Sequence, residues 1–361
     1  MTDDTKGRAR RRSTAPTLRD VAEHAGVSPM TVSRVINGAP AVRERTRRLV
    51  DEAIRAVGYA PNEAARRLAG AHQAHIAMLY AQASAYIAEF LFGGLEQARK
   101  HNAQFIVEKC EDPARAVAEM ERMLAEGTDG FLIAPPLADN PDVLDYLDAH
   151  EVPAVVVTSN RVRDSICSVG IDAYRAAREM TDHLVQLGHR NIGFIGGHPR
   201  HATSGHRLEG FRDALRHAGL AMPESCVAQG YFTYRSGLDA AEELLALDPR
   251  PTAIFASNDD MAAATAAVAH RLGLDVPADL SIVGFDDTPL ATAIWPQLTT
   301  IHVPIAELTR AAADLLVRTI AAYDAGKRPQ AAHVMLDYTL VRRQSDAAPR
   351  IRPQFDTAPL V

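Results

Sequence analysis

Residues 17–40 read TLRDVAEHAGVSPMTVSRVINGAP, and this stretch decides the fold of the first domain. Thr17 opens a capping-box pattern (TLRD) that starts a helix, and Gly26 supplies the left-handed residue that ends it. Ser28 and Pro29 then provide an N-cap and a first-turn proline, so a second helix begins two residues later. Two short helices joined by so tight a turn predict a helix-turn-helix unit.

A third helix is predicted over residues 44–57, where apolar residues recur at helical spacing and a glycine follows. We expect Leu49, Val50, Ala53, Ile54 and Val57 to face inward against the first two helices. The result is a three-helix bundle. Small helical bundles are common, so this pattern does not by itself distinguish a DNA reader from other bundles.

Charge is distributed unevenly along the chain. Residues 1–70 hold 14 Lys and Arg against 8 Asp and Glu, whereas the rest of the 361 residues hold 25 against 37. A basic head on an acidic body is the pattern expected when only the head meets a polyanion. The alternative is a solvated basic tail. Residues 1–16 are predicted to be a disordered basic arm.

From residue 74 onward, short apolar runs alternate with helical stretches, which predicts α/β layers with parallel strands. Two such series suggest two subdomains hinged as a clamshell, with a ligand between the carboxyl ends of the strands. The core is predicted over residues 74–344. Its subdomains are expected at about 74–172 plus 303–330 and about 173–302 plus 333–344. Residues 345–361, which contain three prolines and no leucine heptad, are predicted to be a disordered tail that cannot form a coiled coil.

Both parts resemble the lactose-repressor (LacI) family of transcriptional regulators. In the head the resemblance runs without a gap from residue 17 to residue 70. In the core it rests on five segments: LGHRNIGFIGG (187–197), RLEGFRDAL (207–215), PTAIFASNDDMA (251–262), DLSIVGFDD (279–287) and PQLTTIHVP (296–304). The resemblance implies an N-terminal helix-turn-helix three-helix bundle over residues 17–61, a hinge helix over residues 62–70, and a core like the periplasmic sugar-binding proteins.

The resemblance also implies which residues contact DNA. Base edges would be read from the second helix by Pro29, Met30 and Arg34, since an arginine can fork onto guanine. The phosphate backbone would be held by Leu18, Ser28, Thr31, Ser33 and Asn37, contacts that carry no sequence information. In the hinge, Ala65 would face the partner helix and Leu68 would wedge into the minor groove. The alternative for Leu68 is packing against the core.

Residues of the effector cleft follow from the same resemblance. Arg207 would fork across neighbouring hydroxyls or across a ring nitrogen and a carbonyl, and Asp286 would accept hydrogen bonds from hydroxyls on the opposite side. The other residues implied at the cleft, which would add polar contacts or stack on a ring, are Tyr86, Asp172, His201, Thr203, Phe232 and Asn258.

The function that follows is a homodimeric, sequence-specific repressor of carbohydrate-utilisation genes, with double-stranded operator DNA and a small sugar effector as partners. No cofactor, metal or membrane is expected, and no Walker, HExxH, GxSxG or regular GxGxxG motif points to an enzyme. Three widely spaced cysteines and a polar N-terminus suit the cytoplasm. A purine- or other metabolite-responsive regulator and a ligand-binding protein without a DNA role remain alternatives. Whether the ligand releases or promotes DNA binding stays open.

Overall fold

The computed structural model describes residues 17–36, 42–57, 73–81, 84–157 and 163–350. These residues form two units that divide between residues 73 and 74. Several predictions concern residues outside the described ones, namely the arm at residues 1–16, Asn37, the hinge helix at residues 62–70 with Ala65 and Leu68, and residues 351–361.

The described residues of the first unit form three helices, α1 (Leu18–Ala25), α2 (Pro29–Ile36) and α3 (Glu44–Val57). The capping box is present at the start of α1, because the Thr17 side chain accepts from the backbone of Asp20 and the Asp20 carboxylate accepts from the Thr17 amide. Gly26 ends α1 with a φ of 65°. The helix-turn-helix predicted from these residues is therefore confirmed.

A small apolar cluster holds the three helices together. Its buried members are Val21, Ala22, Val32, Val35, Val50 and Ala53. Leu49, which was predicted to face inward, is 45% exposed, so that prediction is wrong. The buried stripe of α3 is centred on Val50 and Ala53, and Leu49 lies at its solvent edge beside charged residues of the same helix.

The second unit contains two parallel sheets, and the half built on the first sheet is called the first lobe. The order of its six strands is β11-β5-β4-β3-β1-β2. These strands are β1 (His75–Tyr80), β2 (Gln104–Lys109), β3 (Gly130–Ile133), β4 (Ala154–Val157), β5 (Cys167–Gly170) and β11 (His333–Met335). Its helices are α4 (Ala85–Lys100), α5 (Ala116–Ala125), α6 (Pro141–Ala149) and α12 (Ile305–Asp324). The buried strands alternate with amphipathic helices, which is why each parallel crossover covers a face of the sheet.

The second lobe is built on a four-stranded parallel sheet of order β7-β6-β8-β9. Its strands are β6 (Ile192–Gly196), β7 (Val227–Gln229), β8 (Ala253–Ala256) and β9 (Ser281–Val283). Its helices are α7 (Ala173–Gln186), α8 (Ala202–His217), α9 (Tyr234–Leu245), α10 (Asp259–Arg271) and the short α11 (Leu290–Ala293). Two further strands, β10 (Thr300–His302) and β12 (Thr339–Val341), pair antiparallel. A core of two parallel-sheet subdomains, the predicted fold class, is confirmed.

The second unit differs from the sequence predictions in its strands and in where its C-terminal tail begins. Strand β5 was not predicted, because it is short and contains a serine and a glycine. Residues 333–335 were assigned to the second subdomain, but they pair with β5 in the sheet of the first. The predicted tail starts too early, since Ser345 is fully buried and its hydroxyl accepts from the amide of Thr299 at 2.9 Å. A polar residue looks like part of a tail in sequence, yet here it closes the edge of the second lobe.

Among the described residues, none of the helices combines the length and the apolar character that crossing a bilayer requires.

Candidate functional site

Helix α2 presents the predicted base-reading residues on the surface of the first unit. Met30 is 67% exposed, and Pro29 and Arg34 are exposed as well. The helix starts on Ser28, whose hydroxyl accepts from the amide of Thr31 at 3.1 Å. Val32 and Val35 of α2 point into the bundle, which leaves Pro29, Met30 and Arg34 on the outer face of the helix. This is the arrangement that a recognition helix needs to enter a major groove.

The residues predicted to hold phosphate are placed in two ways. Ser28, Thr31 and Ser33 lie at the start and along the flank of α2 with exposed or half-exposed side chains. Leu18 begins α1 and is half-buried against the bundle core. Their contacts with DNA stay predictions.

A cleft of about 1020 Å³ lies between the two lobes of the second unit, at the carboxyl ends of both sheets. With one exception, the predicted effector residues line it: Tyr86, His201, Thr203, Arg207, Phe232, Asn258 and Asp286. The exception is Asp172, which is exposed and absent from the lining. Its carboxylate accepts from the amide of Arg175 at 2.8 Å and so caps helix α7, a use that a polar residue before a helix often has.

A buried ion pair forms the floor of the cleft. Arg207 comes from α8 and Asp286 follows β9, and Nη2 of the arginine lies 3.5 Å from Oδ1 of the aspartate. Arg207 also donates through Nη1 to the carbonyl of Ser257. Its guanidinium carbon lies 3.6 Å from the ring centroid of Phe285, so the cation rests on an aromatic face. Nε of Arg207 is buried and has no hydrogen-bond partner among the described residues.

The electrostatics of this pair are dominated by burial. Loss of solvent raises the pKa of the Asp286 carboxyl, and the charge of Arg207 opposes that rise. Asp286 also has a φ of 104°, a left-handed conformation that a non-glycine residue adopts only when its surroundings impose it. The adjacent backbone imposes it here, since the Asp286 amide donates to the carbonyl of Ile301 at 2.9 Å.

Aromatic rings form one wall of the cleft. The rings of His201 and Phe232 stack at 5.4 Å, and His198 lies 4.9 Å from His201 and 5.6 Å from Tyr231. Burial, followed by the charges of His198 and Arg207, lowers the pKa of His201 to about 4, so this ring is neutral at physiological pH. Asn258 does two tasks: Oδ1 caps α10, and Nδ2 donates to the carbonyl of Phe232 at 3.1 Å. Asn258 therefore holds the aromatic wall in place.

The first lobe supplies the opposite wall, where apolar residues such as Ile87, Pro135 and Pro136 lie beside a few polar ones. Burial lowers the pKa of the Arg207 guanidinium, and Tyr86 on α4 lies close enough across the cleft to oppose that lowering. Lys109, the last residue of β2, and Glu111, just after that strand, line the cleft and form an ion pair with each other. The cleft thus pairs a partly exposed aromatic wall from the second lobe with a largely apolar first-lobe wall that carries one exposed ion pair.

Sequence reasoning missed several lining residues, among them Lys109, Glu111, His198, Tyr231 and Asp260. A usable signal was present, because each of them follows a parallel strand within a few residues, where ligands of open α/β sheets bind. Asp260 is half-buried, and burial raises the pKa of its carboxyl. Within the described part of the chain, no three His, Cys, Asp or Glu residues are grouped as a metal site would require.

Comparison with known proteins agrees with this geometry. Residues 17–62 match the family described as bacterial regulatory proteins, lacI family, and residues 181–345 match the periplasmic binding protein-like domain. The transcriptional repressor PurR of Klebsiella pneumoniae (strain 342) is 33% identical, over 92% of this chain and 97% of that protein.

Two solved structures are also similar. The Lac repressor dimer bound to operator and the anti-inducer ONPF has a TM-score of 0.76 and 29% identity, covering 93% of this chain and all of that one. The complex of the transcriptional regulator CelR with cellobiose has a TM-score of 0.69 and 31% identity, covering 91% of this chain and 99% of that one.

Proposed function

This chain belongs to the lacI family of bacterial regulatory proteins, and from that premise we propose that it is a repressor whose operator binding is controlled by a sugar in the core cleft. The chain is a DNA-binding transcriptional repressor and not an enzyme, since its relatives and structural neighbours are transcriptional regulators. The sugar, the homodimer and the cytoplasmic setting are the proposed parts.

The observation that carries the sugar proposal is the buried Arg207–Asp286 pair beneath an aromatic wall. A guanidinium donates to neighbouring sugar oxygens, and a carboxylate accepts from hydroxyls, so the pair offers both halves of polyol recognition. The flat rings of His201 and Phe232 offer an apolar surface to the C–H faces of a pyranose. The free Nε of Arg207 adds one more buried donor that a ligand oxygen would satisfy.

The size of the cleft favours two sugar rings over one. Its volume of about 1020 Å³ lies at the top of the range of roughly 300–1,000 Å³ that small-molecule pockets occupy. The structurally similar regulator CelR is bound to a disaccharide, cellobiose. We therefore propose a disaccharide as the effector class.

A flat heterocycle such as a purine is the second candidate. It is favoured by the ring cluster of His198, His201, Tyr231 and Phe232, on which a planar ligand could stack. The exposed Lys109–Glu111 ion pair at the first-lobe side of the cleft offers charged hydrogen-bonding partners that hydroxyls use better than a purine face does.

Operator binding as a homodimer is supported by apolar residues on the surface of the second unit. Phe92 and Leu95 on α4 are 71% and 47% exposed, and Trp295 after α11 is 82% exposed. Phe92 and Leu95 lie three positions apart on α4 and so share one helix face, and a contiguous exposed apolar patch marks an interaction surface. The Lac repressor to which this chain is similar is a dimer on its operator. We expect Phe92→Glu to reduce the mass measured by light scattering from about two chains to one, with exposed Glu121→Gln as the control.

Thermal-shift measurements with cellobiose, glucose and hypoxanthine test the effector class. A ligand of the native state at about 100 times its Kd stabilises the fold by about 2.7 kcal/mol. We expect cellobiose to raise the melting temperature of the wild type and to leave the Arg207→Met/Asp286→Asn double variant unchanged. A melting-temperature shift with hypoxanthine alone would show that the effector is a purine and not a sugar. Equal shifts in wild type and double variant would mean that the ligand binds outside this cleft.

A further inference from the structure

The start of helix α8 is capped from the opposite lobe. Its own N-cap residue, His201, makes no side-chain cap. Instead, the amide of Ala202 donates to Oδ2 of Asp139 at 3.0 Å. Asp139 ends a short 3₁₀ turn, Leu137–Asp139, which follows β3 in the first lobe. The hydrogen bond therefore spans the two lobes.

The environment of this bond makes it strong. Asp139 is only 5% exposed, and a buried carboxylate is costly unless donors and positive charge surround it. The N-terminus of α8, a helix of 16 residues, supplies both an unpaired amide and the positive end of the helix dipole. When the lobes separate, water can solvate the carboxylate and the amide, so this bond belongs to the closed form.

The turn that carries Asp139 is firmly held in its own lobe. Leu137 and Ala138 are fully buried in the first-lobe core. On the other side, Asn140 caps α6 through the amide of Asp142 at 3.0 Å and donates to the carbonyl of Pro113 at 3.1 Å. Asp139 is thus presented on a fixed support and does not reach across on a flexible loop.

Helix α8 is the element that carries the cleft residues Thr203 and Arg207. The amide bonded to Asp139 is the one directly before Thr203. Whatever fixes this first turn against the first lobe also fixes where these two side chains lie relative to Tyr86 on the other wall.

We propose that Asp139 is a positioning residue that latches the two lobes together by capping α8 from across the cleft. The latch lowers the free energy of the closed form relative to the open form. A ligand in the cleft therefore needs to contribute less binding free energy to close the lobes. It does not depend on the chemical class of the effector or on the DNA.

Distances between spin labels on the two lobes test the latch in the full chain without any ligand. Labels would be placed at Glu121→Cys on α5 and His217→Cys at the end of α8, both exposed positions, and diluted with unlabelled chain. The three native cysteines are buried and should not react. We expect one short-distance population in the wild type.

The variants then separate the latch from a general loss of structure. Asp139→Ala should raise the ratio of open to closed molecules by about 2- to 30-fold, the range expected for the loss of a helix cap. Asp139→Asn, which keeps an acceptor oxygen without the charge, should fall between Asp139→Ala and the wild type. The control is Asp142→Ala, which removes an exposed carboxylate three residues away and should match the wild type.

Two outcomes would overturn the latch: an unchanged distance distribution in Asp139→Ala, or an equal change in Asp142→Ala. If Asp139→Ala fails to fold by circular dichroism, the comparison of Asp139→Asn with the wild type decides. Hydrogen exchange gives a second readout, since the amide of Ala202 should lose protection in Asp139→Asn while amides later in α8 keep theirs.

Discussion

Helix α2, which we expect to read DNA, and the cleft between the lobes, which we expect to bind the effector, differ in how their charged residues meet solvent. On α2, Arg34 and Met30 stand exposed on a helix whose apolar side alone is packed. In the cleft, Arg207 and Asp286 are each less than a tenth exposed and bonded to each other. The charged groups of the cleft lose their water when the chain folds, whereas Arg34 is hydrated in the free protein and would lose water only on the DNA contact that we expect.

The largest effect should come from breaking the buried pair on one side. Asp286→Asn tolerates the left-handed backbone but leaves the Arg207 cation uncompensated in the protein interior. We expect it to lower the free energy of unfolding by about 3–5 kcal/mol. Urea denaturation followed by circular dichroism measures this. The double variant Arg207→Met/Asp286→Asn should recover most of the loss, and an undiminished stability in Asp286→Asn would mean that the pair is not charged.

Removing an exposed arginine should affect binding and not folding. Arg34→Ala on α2 should weaken specific operator binding by about 1–3 kcal/mol, the value of one good base contact. The free energy of unfolding should stay within about 0.5 kcal/mol of the wild type, as for other surface changes. Fluorescence anisotropy with operator and with random DNA measures both affinities. An equal loss of affinity for random DNA would indicate that Arg34 contacts the phosphate backbone and not a base.

The buried histidine of the cleft should make core stability fall in acid. The pKa of His201 is lowered by burial from 6.5 to about 4. Between these values the unfolded chain takes up a proton that the folded chain refuses, so this stabilisation is present above pH 6.5 and lost as the pH falls toward 4.

His201→Phe keeps a flat ring but cannot titrate. Between pH 7 and pH 5 it should lose less unfolding free energy than the wild type, by about 1–2 kcal/mol after allowance for partial exposure. The matched control is exposed His217→Phe, whose pH profile should follow that of the wild type. Parallel profiles for His201→Phe and the wild type would show that the ring is solvated.

The smallest effect on stability is expected at Leu49, which was predicted to face the bundle core but is exposed. Leu49→Ala should change the opening free energy of the bundle by no more than about 0.5 kcal/mol, because its side chain is already 45% exposed. Its neighbour Val50 is fully buried, and Val50→Ala should cost about 2 kcal/mol. Hydrogen exchange of α1 and α2 amides in the full chain reports both. A larger loss of opening free energy in Leu49→Ala would indicate that this side chain packs in the core.

The same contrast explains what the sequence could and could not predict. The helices of the head are specified by local signals, such as Thr17, Gly26 and Ser28, that act within a few residues of the chain. Strands β3 and β4 were likewise predictable as continuous apolar runs. Arg207 and Asp286 lie 79 positions apart, and their placement in one cleft came from family resemblance.

Long-range roles of ordinary polar residues were not predictable. Asp172 and Asp139 are both aspartates next to helices, yet the first caps its own helix and the second caps a helix 63 positions away. Ser345 looked like part of a tail but bonds to the carbonyl of Ile282 and the amide of Thr299. Nothing in the local sequence separates these cases, because the partner is chosen by the packing of distant elements.

We propose that occupancy of the Arg207–Asp286 cleft controls operator binding by the head. It is tested most directly by measuring operator affinity, by fluorescence anisotropy, with and without saturating cellobiose or whichever probe shifts the melting temperature. We predict a change of about 5- to 150-fold in the wild type, in either direction, and none in the Arg207→Met/Asp286→Asn variant. An operator affinity that does not respond to the bound ligand in the wild type, or that responds equally in both proteins, would contradict the account.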